Sequence, residues 1–423
     1  MTHQPITESD RIESLDVLRG FSLLGILLMN IIGFGFVAAA YTAPGLMIED
    51  GLDLFAWGLI ELLAEGAMRG LFSILFGAGV ILFLGNARAG RGWLHAKRTS
   101  WLLLFGLFNG YVLLWTGDIL VTYALAGFLL YFFRNLQGRT LLRLAIGLTV
   151  LLTLYNAGSH FGLKHLRANA ETAAALQSAN QAVPEAVAAL AEQWEGFKSE
   201  YAPSNDMIEL ELSARRGSFE SAFIWTAHHN TVILKSSLWS FLLPDALVMM
   251  ILGMALYKLG VLQGQCAREV YAKMAVGGFS VGAAINGFEV WYAYQSQFDL
   301  IDAFLKLAPT YHLGRMAVSL GWIGLLLWFI KGGWHSLRLA AVGRMALTNY
   351  LMQSLLCMLV FTGAGLGWVG QMQLWQVYGI VLPIWLLQLW FSPWWLKRFY
   401  YGPIEWLWRA LTYGAFPMLR RTK

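Results

Sequence analysis

The 423-residue chain predicts an all-α, polytopic membrane protein of about ten transmembrane helices with both termini cytoplasmic, and three observations lead there. Apolar residues reach 57% and charged residues only 13%, whereas soluble domains carry about a quarter charged residues. The apolar residues gather into runs of roughly 20, the length that crosses a hydrocarbon core of about 30 Å as a helix. Lys and Arg gather between alternate runs, where the positive-inside rule places cytoplasmic loops.

Ten runs follow in order, near 17–38, 66–85, 98–116, 119–134, 141–161, 239–259, 271–293, 313–330, 344–362 and 376–396. Every even-numbered run is followed by a basic segment: Arg88, Arg91, Lys97 and Arg98 after the second, Arg134, Arg139 and Arg143 after the fourth. Lys258, Arg268 and Lys273 follow the sixth, Lys331, Arg338 and Arg344 the eighth, and Lys397, Arg398, Arg420, Arg421 and Lys423 the tenth. The opposite loops carry Glu49, Asp50, Asp53, Asp118, Asp299 and Asp302. The net charge of +5 is therefore a topology signal, and nucleic acid is not an expected partner. The abundance of Trp, Phe and Gly suits the aromatic belts and close contacts of a helical bundle, not the alternating strands of a barrel. The first run is long and lacks a small-residue cleavage site, so no cleavable signal peptide is expected.

The whole of 1–423 reads as one integral membrane domain with two appendages. Residues 162–222, rich in Ala, Glu and Gln, form an extracytoplasmic helical insertion, and 397–423 form a cytoplasmic C-terminal segment. Residues 53–69 continue helically into the second run, and a helix of about 45 Å would result at 1.5 Å per residue. It must tilt, break or lie in the interface. Cys266 and Cys357 are too few for a disulfide framework and lack metal-site spacing, so both read as free thiols.

Polar residues inside the runs are the candidate functional groups, because ionisable side chains rarely face lipid. In LDVLRGFSLLGILLMNI, Arg19 and Asn30 are eleven apart and fall about 20° from each other around a helix. Asp16 and Ser22 lie within about 60° of that face, giving the first helix one polar stripe. A snorkelling Arg at the boundary is the plain alternative. In GRMALTNYLMQSLLC, Asn349 and Gln353 are adjacent on one face, with Arg344 and Thr348 as a second polar edge, and interhelical hydrogen bonding is their plain alternative. Glu61, Glu65 and Arg69 follow i, i+4 spacing and read as an exposed helical salt bridge, with Arg69 also a candidate ligand contact.

Histidine is where neutral-pH base chemistry is sought. His3, His95 and His335 read as surface residues of tails or basic loops, which leaves His228, His229 and His312 near the outer interface as candidate bases. The closing GPIEWLWRALTYG reads as an amphipathic helix at the cytoplasmic mouth. Pro403 sits in its first turn, Glu405 pairs with Arg409 at i+4, and Trp406 and Trp408 anchor it at headgroup depth. No catalytic triad, phosphate loop or dinucleotide fingerprint is legible.

LDVLRGFSLLGILLMNI, RGLFSILFGAG, GDILVTYALAGFLL, LGMALYKLG, GRMALTNYLMQS and YGPIEWLWRALTYG resemble, in this order, the bacterial YeiB-like family, whose C-terminal part is domain of unknown function 418. That family is grouped with transmembrane acyltransferases, which hand an acyl group from a cytoplasmic thioester donor to an acceptor on the other face. The resemblance implies an inner-membrane protein with an acyl-coenzyme A donor, whose phosphates Arg19, Arg344 and Arg409 would neutralise. Related acyltransferases carry a His eleven residues after the Arg, where this chain has Asn30. An amide cannot serve as that base, although it can donate to a developing oxyanion. Either one of the three histidines supplies the base, or the architecture serves transport or binding of a small amphipathic or lipid-like molecule. Membrane lipids, such a ligand and a second copy of the chain are the expected partners.

The topology is open to single-cysteine labelling after removal of Cys266 and Cys357. An impermeant thiol reagent should reach a cysteine at position 190 in intact cells, and one at position 91 only after the membrane is opened. The reverse pattern would invert the orientation.

Overall fold

The computed structural model describes residues 12–85, 91–201 and 203–421, with side chains omitted at 200–201 and 300–309. His3, Arg88 and the rest of 86–90, the Asp302 side chain and Lys423 lie outside the described residues. Sixteen α-helices follow along the described chain. These are α1 (Glu13–Gly35), α2 (Gly51–Leu63), α3 (Ala67–Leu84), α4 (Arg91–Tyr111), α5 (Ile119–Phe133), α6 (Gly138–Ser178), α7 (Glu185–Tyr201) and α8 (Asn205–Arg216). Then come α9 (Phe219–Lys235), α10 (Leu243–Lys258), α11 (Arg268–Gln295), α12 (Leu300–Lys331), α13 (Leu337–Arg344), α14 (Ala346–Phe361), α15 (Leu374–Leu396) and α16 (Pro403–Tyr413). The described residues form no strand beyond one isolated bridge, Phe399 to Arg420, so the all-α class holds.

Six helical segments are long and apolar enough to cross a membrane: α1, α2 with α3, α6, Leu238–Lys258, Thr310–Lys331 and α15. The pair α13 and α14 makes a seventh if its 82° bend is counted within one crossing. Of the ten expected runs, 98–116, 119–134 and 271–293 do not meet that measure. The helix over 119–134 has only 15 residues, while α4 begins with Arg91, Lys97 and Arg98, and α11 carries Lys273 and Glu289.

The centre of the bundle is α1, α3 and α10, most of whose residues are buried; α6 and α15 leave most of their apolar residues on the outside. At the crossing of α3 and α10, Gly77 lies on the Met250 carbonyl and Gly253 on the Ile74 carbonyl, and a Cβ at either would overlap that oxygen. Two backbones can approach this closely only where neither carries a side chain. The long helix expected over 53–84 breaks at Ala64–Gly66, where Gly66 has φ of +61°. The break frees carbonyls that need donors. Asn286 Nδ2 reaches Leu62 O at 3.2 Å, Trp322 Nε1 reaches Leu63 O at 2.9 Å, and Ser319 Oγ reaches Ala67 O at 2.8 Å.

Residues 162–222 comprise the end of α6, then α7, α8 and the start of α9, and α8 clamps this segment to the bundle. Arg215 donates to the carbonyls of Gly33, Phe34 and Phe36 at 2.9, 2.9 and 2.7 Å, the unsatisfied end of α1. Glu211 accepts from Arg215 at 2.8 Å and from the Ala38 backbone at 2.9 Å. A buried cation at a helix C-terminus is favoured by the dipole as well as by these bonds. Arg215→Ala should therefore lower unfolding stability by about 3 kcal/mol or more, the cost of breaking a buried pair, measured by denaturation of the detergent-solubilised chain. Arg167→Lys should change it little, because Arg167 is half-exposed and its pairs with Glu171 at 3.0 Å and Asp299 at 3.3 Å are open to solvent and can be kept by an ammonium.

Candidate functional site

Two polar regions occupy the interior, and the break between α2 and α3 creates the first. It places Glu61 and Glu65 beside α11 and α12 and starts α3 with Arg69 one turn in. Arg315 on α12 gathers the carboxylates. Its Nε reaches Glu65 at 2.7 Å, Nη2 reaches Glu61 at 3.1 Å, and Nη1 reaches Asn286 at 3.1 Å and also Glu289. Tyr311 then links this group to the next, accepting from Arg69 Nη2 at 2.6 Å and donating to Glu65 at 3.2 Å. Arg69 Nη2 also reaches Asp245, in the first turn of α10, at 3.2 Å, and Asp245 meets His312 Nδ1 at 2.9 Å.

The Asp245 carboxylate can only accept, so it fixes the neutral imidazole with its proton on Nδ1 and its lone pair on Nε2. His312 thus has the orientation of a general base held by an acid. Four carboxylates, Glu61, Glu65, Glu289 and Asp245, surround two guanidiniums in a region where Arg315 is only 3% exposed. Such charges are tolerated only through close pairing.

The second region is a cavity of about 290 Å³. It is lined by apolar residues of α3, including Leu75, Phe76, Gly79 and Val80, and by Arg19 of α1, Arg98 of α4, Arg344 at the end of α13 and Arg409 of α16. Arg19 pairs with Asp16 at 2.9 Å. Arg98 lies between the rings of Phe83 and Trp408, 4.7 and 4.3 Å from their centroids, and Arg409 lies 4.6 Å over Tyr401. Among the described residues neither Arg98 nor Arg409 forms an ion pair. Tyr123 also lines the cavity, and its hydroxyl lies 2.6 Å from Ser73 Oγ and 3.2 Å from the Arg69 carbonyl. The two regions meet there.

Of the residues singled out in the sequence, the cavity collects Asp16, Arg19, Arg344, Glu405 and Arg409. His312 and Arg69 fall in the first region. Asn30 is half-buried, does not line the cavity and has no hydrogen-bond partner among the described residues. Asn349 and Gln353 lie in the seam between α14 and α15, bonded to Ser392 at 2.9 Å and Gln388 at 3.0 Å. His228 is exposed on α9; His229 stacks on Trp225 with ring centroids 5.0 Å apart. Burial and the nearby Arg215 lower the His229 pKa to about 4, so it is neutral at physiological pH.

Three expectations are corrected. Glu61, Glu65 and Arg69 do not form an exposed ladder, because the helix breaks between them and both carboxylates turn inward to Arg315. His95 is buried, its Nε2 2.8 Å from the Gly127 carbonyl. Glu405 does not pair with Arg409 but caps α14, accepting from the Leu347 and Thr348 backbones at 2.7 and 3.0 Å and from Thr348 Oγ1 at 2.5 Å. The bend before α14 leaves its first N–H groups without carbonyl partners, and a carboxylate satisfies them best. Asp245, Glu289, Tyr311, Arg315, Arg98 and Tyr123 were not singled out. Asp245, Glu289 and Arg315 nevertheless stood as ionisable residues inside apolar runs, the signal that marks intramembrane sites.

The fold and these two regions define a multi-pass helical membrane protein with a buried ionic centre and an arginine-lined cavity. The chain belongs to the YeiB-like DUF418 family. The family model described as "Protein of unknown function (DUF418)" matches residues 256–415. The chain is 31% identical to "Uncharacterized protein YeiB" of Escherichia coli (strain K12), over 98% of this chain and 99% of the relative. It is 28% identical to "Uncharacterized protein YxaH" of Bacillus subtilis (strain 168), over 99% of each. No solved structure matches.

Removing Arg315 should leave three carboxylates without their cation. Arg315→Met should yield no monodisperse protein on size exclusion, whereas Glu289→Gln, which keeps the shape and reduces the negative charge, should express as folded protein. Burial raises the Glu405 pKa despite the bonds from Thr348 and Leu347. The folded state then holds that proton more tightly than the unfolded state. Glu405 therefore costs stability as pH rises through the ordinary carboxylate range towards its raised pKa. The Tm of Glu405→Gln relative to wild type should increase over that rise.

Proposed function

We propose that this chain is a bacterial inner-membrane acyltransferase, oriented with both termini and the arginine-lined cavity towards the cytoplasm. The observation that carries the reading is the connection at Tyr123, which lines the cationic cavity and bonds to the backbone carbonyl of Arg69, the residue whose guanidinium pairs with Asp245 of the Asp245–His312 pair. Acyl transfer across a membrane needs those two things in contact: a site for an anionic thioester donor on one side and a base for the acceptor on the other.

In this reading Arg19, Arg98, Arg344 and Arg409 hold the phosphates of an acyl-coenzyme A, for which guanidinium forks are suited. The acyl group points towards Tyr123. An acceptor hydroxyl or amine enters from the opposite face, and His312 Nε2 takes its proton as the acceptor atom bonds to the thioester carbonyl carbon. The C–S bond breaks, the thiolate leaves towards the arginines, and the proton held by His312 returns to it. Asp245 stabilises the imidazolium in between. The base is thus His312, and Asn30 has no proton-transfer role.

A second reading has one specific observation in its favour. The 82° bend between α13 and α14 leaves a helix N-terminus inside the protein, the device that transporters use at their substrate sites. The two readings separate in one assay. Purified chain in nanodiscs should release free thiol from acyl-coenzyme A in the presence of acceptor, and His312→Ala should reduce that rate by about 10²-fold or more, the usual contribution of a general base. Asp245→Asn should reduce it with unchanged donor affinity. Ligand passage without thiol release, insensitive to His312, would replace transfer with transport.

A further inference from the structure

The cavity has two kinds of lining, guanidinium and apolar. The arginines come from α1, α4, α13 and α16, while α3 contributes only apolar residues. An inorganic or purely polar anion would leave the apolar α3 residues uncovered, and a neutral lipid would supply no counter-charge to Arg98 and Arg409, which form no ion pair among the described residues. The chemistry that covers both is a phosphate-bearing head joined to an apolar chain.

Gly79 is the residue that makes room along α3. It lines the cavity, lies on the same helix as Leu75, Phe76 and Val80, and a Cβ built on it meets no atom within 4 Å. This sets it apart from Gly77, two residues earlier, whose position is closed by the Met250 carbonyl. Gly77 is needed for helices to touch; Gly79 is not. A glycine inside a helix costs stability relative to a side-chain-bearing residue, and no neighbour requires this one.

We propose that the cavity takes an amphipathic phosphate-bearing ligand whose apolar chain lies along α3, and that Gly79 determines how long a chain is accepted. For the identity of the head group as coenzyme A, this rests on the donor reading above. Chain burial should raise affinity roughly fourfold per methylene up to the limit of the wall. A Cβ at Gly79 meets no atom of the bundle, so a larger side chain there grows into the room that the apolar chain would use.

The test titrates full-length wild type and Gly79→Leu, in phosphatidylcholine nanodiscs, with coenzyme A and its acetyl, butyryl, hexanoyl and octanoyl thioesters. Wild type should bind more tightly as the chain lengthens. Gly79→Leu should bind coenzyme A as the wild type does but lose about tenfold or more in octanoyl-coenzyme A affinity, the equivalent of some two buried methylenes. Gly79→Ala should fall between them, and carries the test if the Leu variant is not monodisperse. A parallel lysophosphatidic acid series distinguishes the head groups. If only that series binds, lengthens in favour and is flattened by Gly79→Leu, the chain site stands and the coenzyme A donor falls. If wild type and variant share one chain-length dependence, or neither series binds, the inference is overturned.

Discussion

A guanidinium held among three carboxylates inside the bundle is the constraint from which the rest of the site follows. Arg315 uses Nε and both terminal nitrogens on Glu65, Glu61, Glu289 and Asn286, which belong to α2, the α2–α3 break and α11. Arg315, Glu65 and Glu289 are buried, so their charges must be paired with one another for the helices to assemble. The pairing requires Glu65 to leave the helix it began in, and the positive φ of Gly66 permits it. Once α3 restarts in its new direction, Arg69 faces Asp245 and Tyr311 instead of Glu65 alone, and His312 receives its carboxylate.

The same rule governs the ends of the helices. Besides the α2–α3 break, two ends that terminate inside the protein are each satisfied by a charged side chain from a distant segment. Arg215 of the insertion closes the C-terminus of α1; Glu405 of the final helix closes the N-terminus of α14. In each case the sign of the charge opposes the sign of the helix dipole. These contacts bracket the interior, one fixing the far end of α1 and the other holding α16 over the cavity so that Arg409 and Trp408 form part of its wall. The appendages are therefore parts of the site's frame.

Several features were legible because they depend only on residues near one another along the chain. Arg19 and Asp16 share a helical face by spacing alone, and they do form an ion pair on the cavity wall. The GPIEWLWRALTYG segment contains its own helix signals and folds as α16. The same reasoning misplaced Glu61, Glu65 and Arg69, because i, i+4 spacing names a partner on the same helix and takes no account of a stronger one elsewhere. Arg315 lies some 250 residues from Glu65. His95 differs for a similar reason: it lies in a basic segment, but its ring packs against Tyr131 and Phe83 and bonds to the backbone of α5.

The sequence by itself determined the all-helical membrane class and the polar residues available inside the apolar runs. Each of these follows from local composition and periodicity, since hydrogen bonding within a helix and the transfer of its side chains to lipid are properties of a single segment. Tertiary structure decided which polar residues meet. It put His312 beside Asp245, left His228 and His229 on α9 and Asn30 off the cavity, and turned Asn349 and Gln353 into the α14–α15 seam. A buried charge is tolerated only where a close, hydrogen-bonded partner offsets its desolvation, and contact among helices far apart in the chain depends on the close crossings and the one break that bring them together.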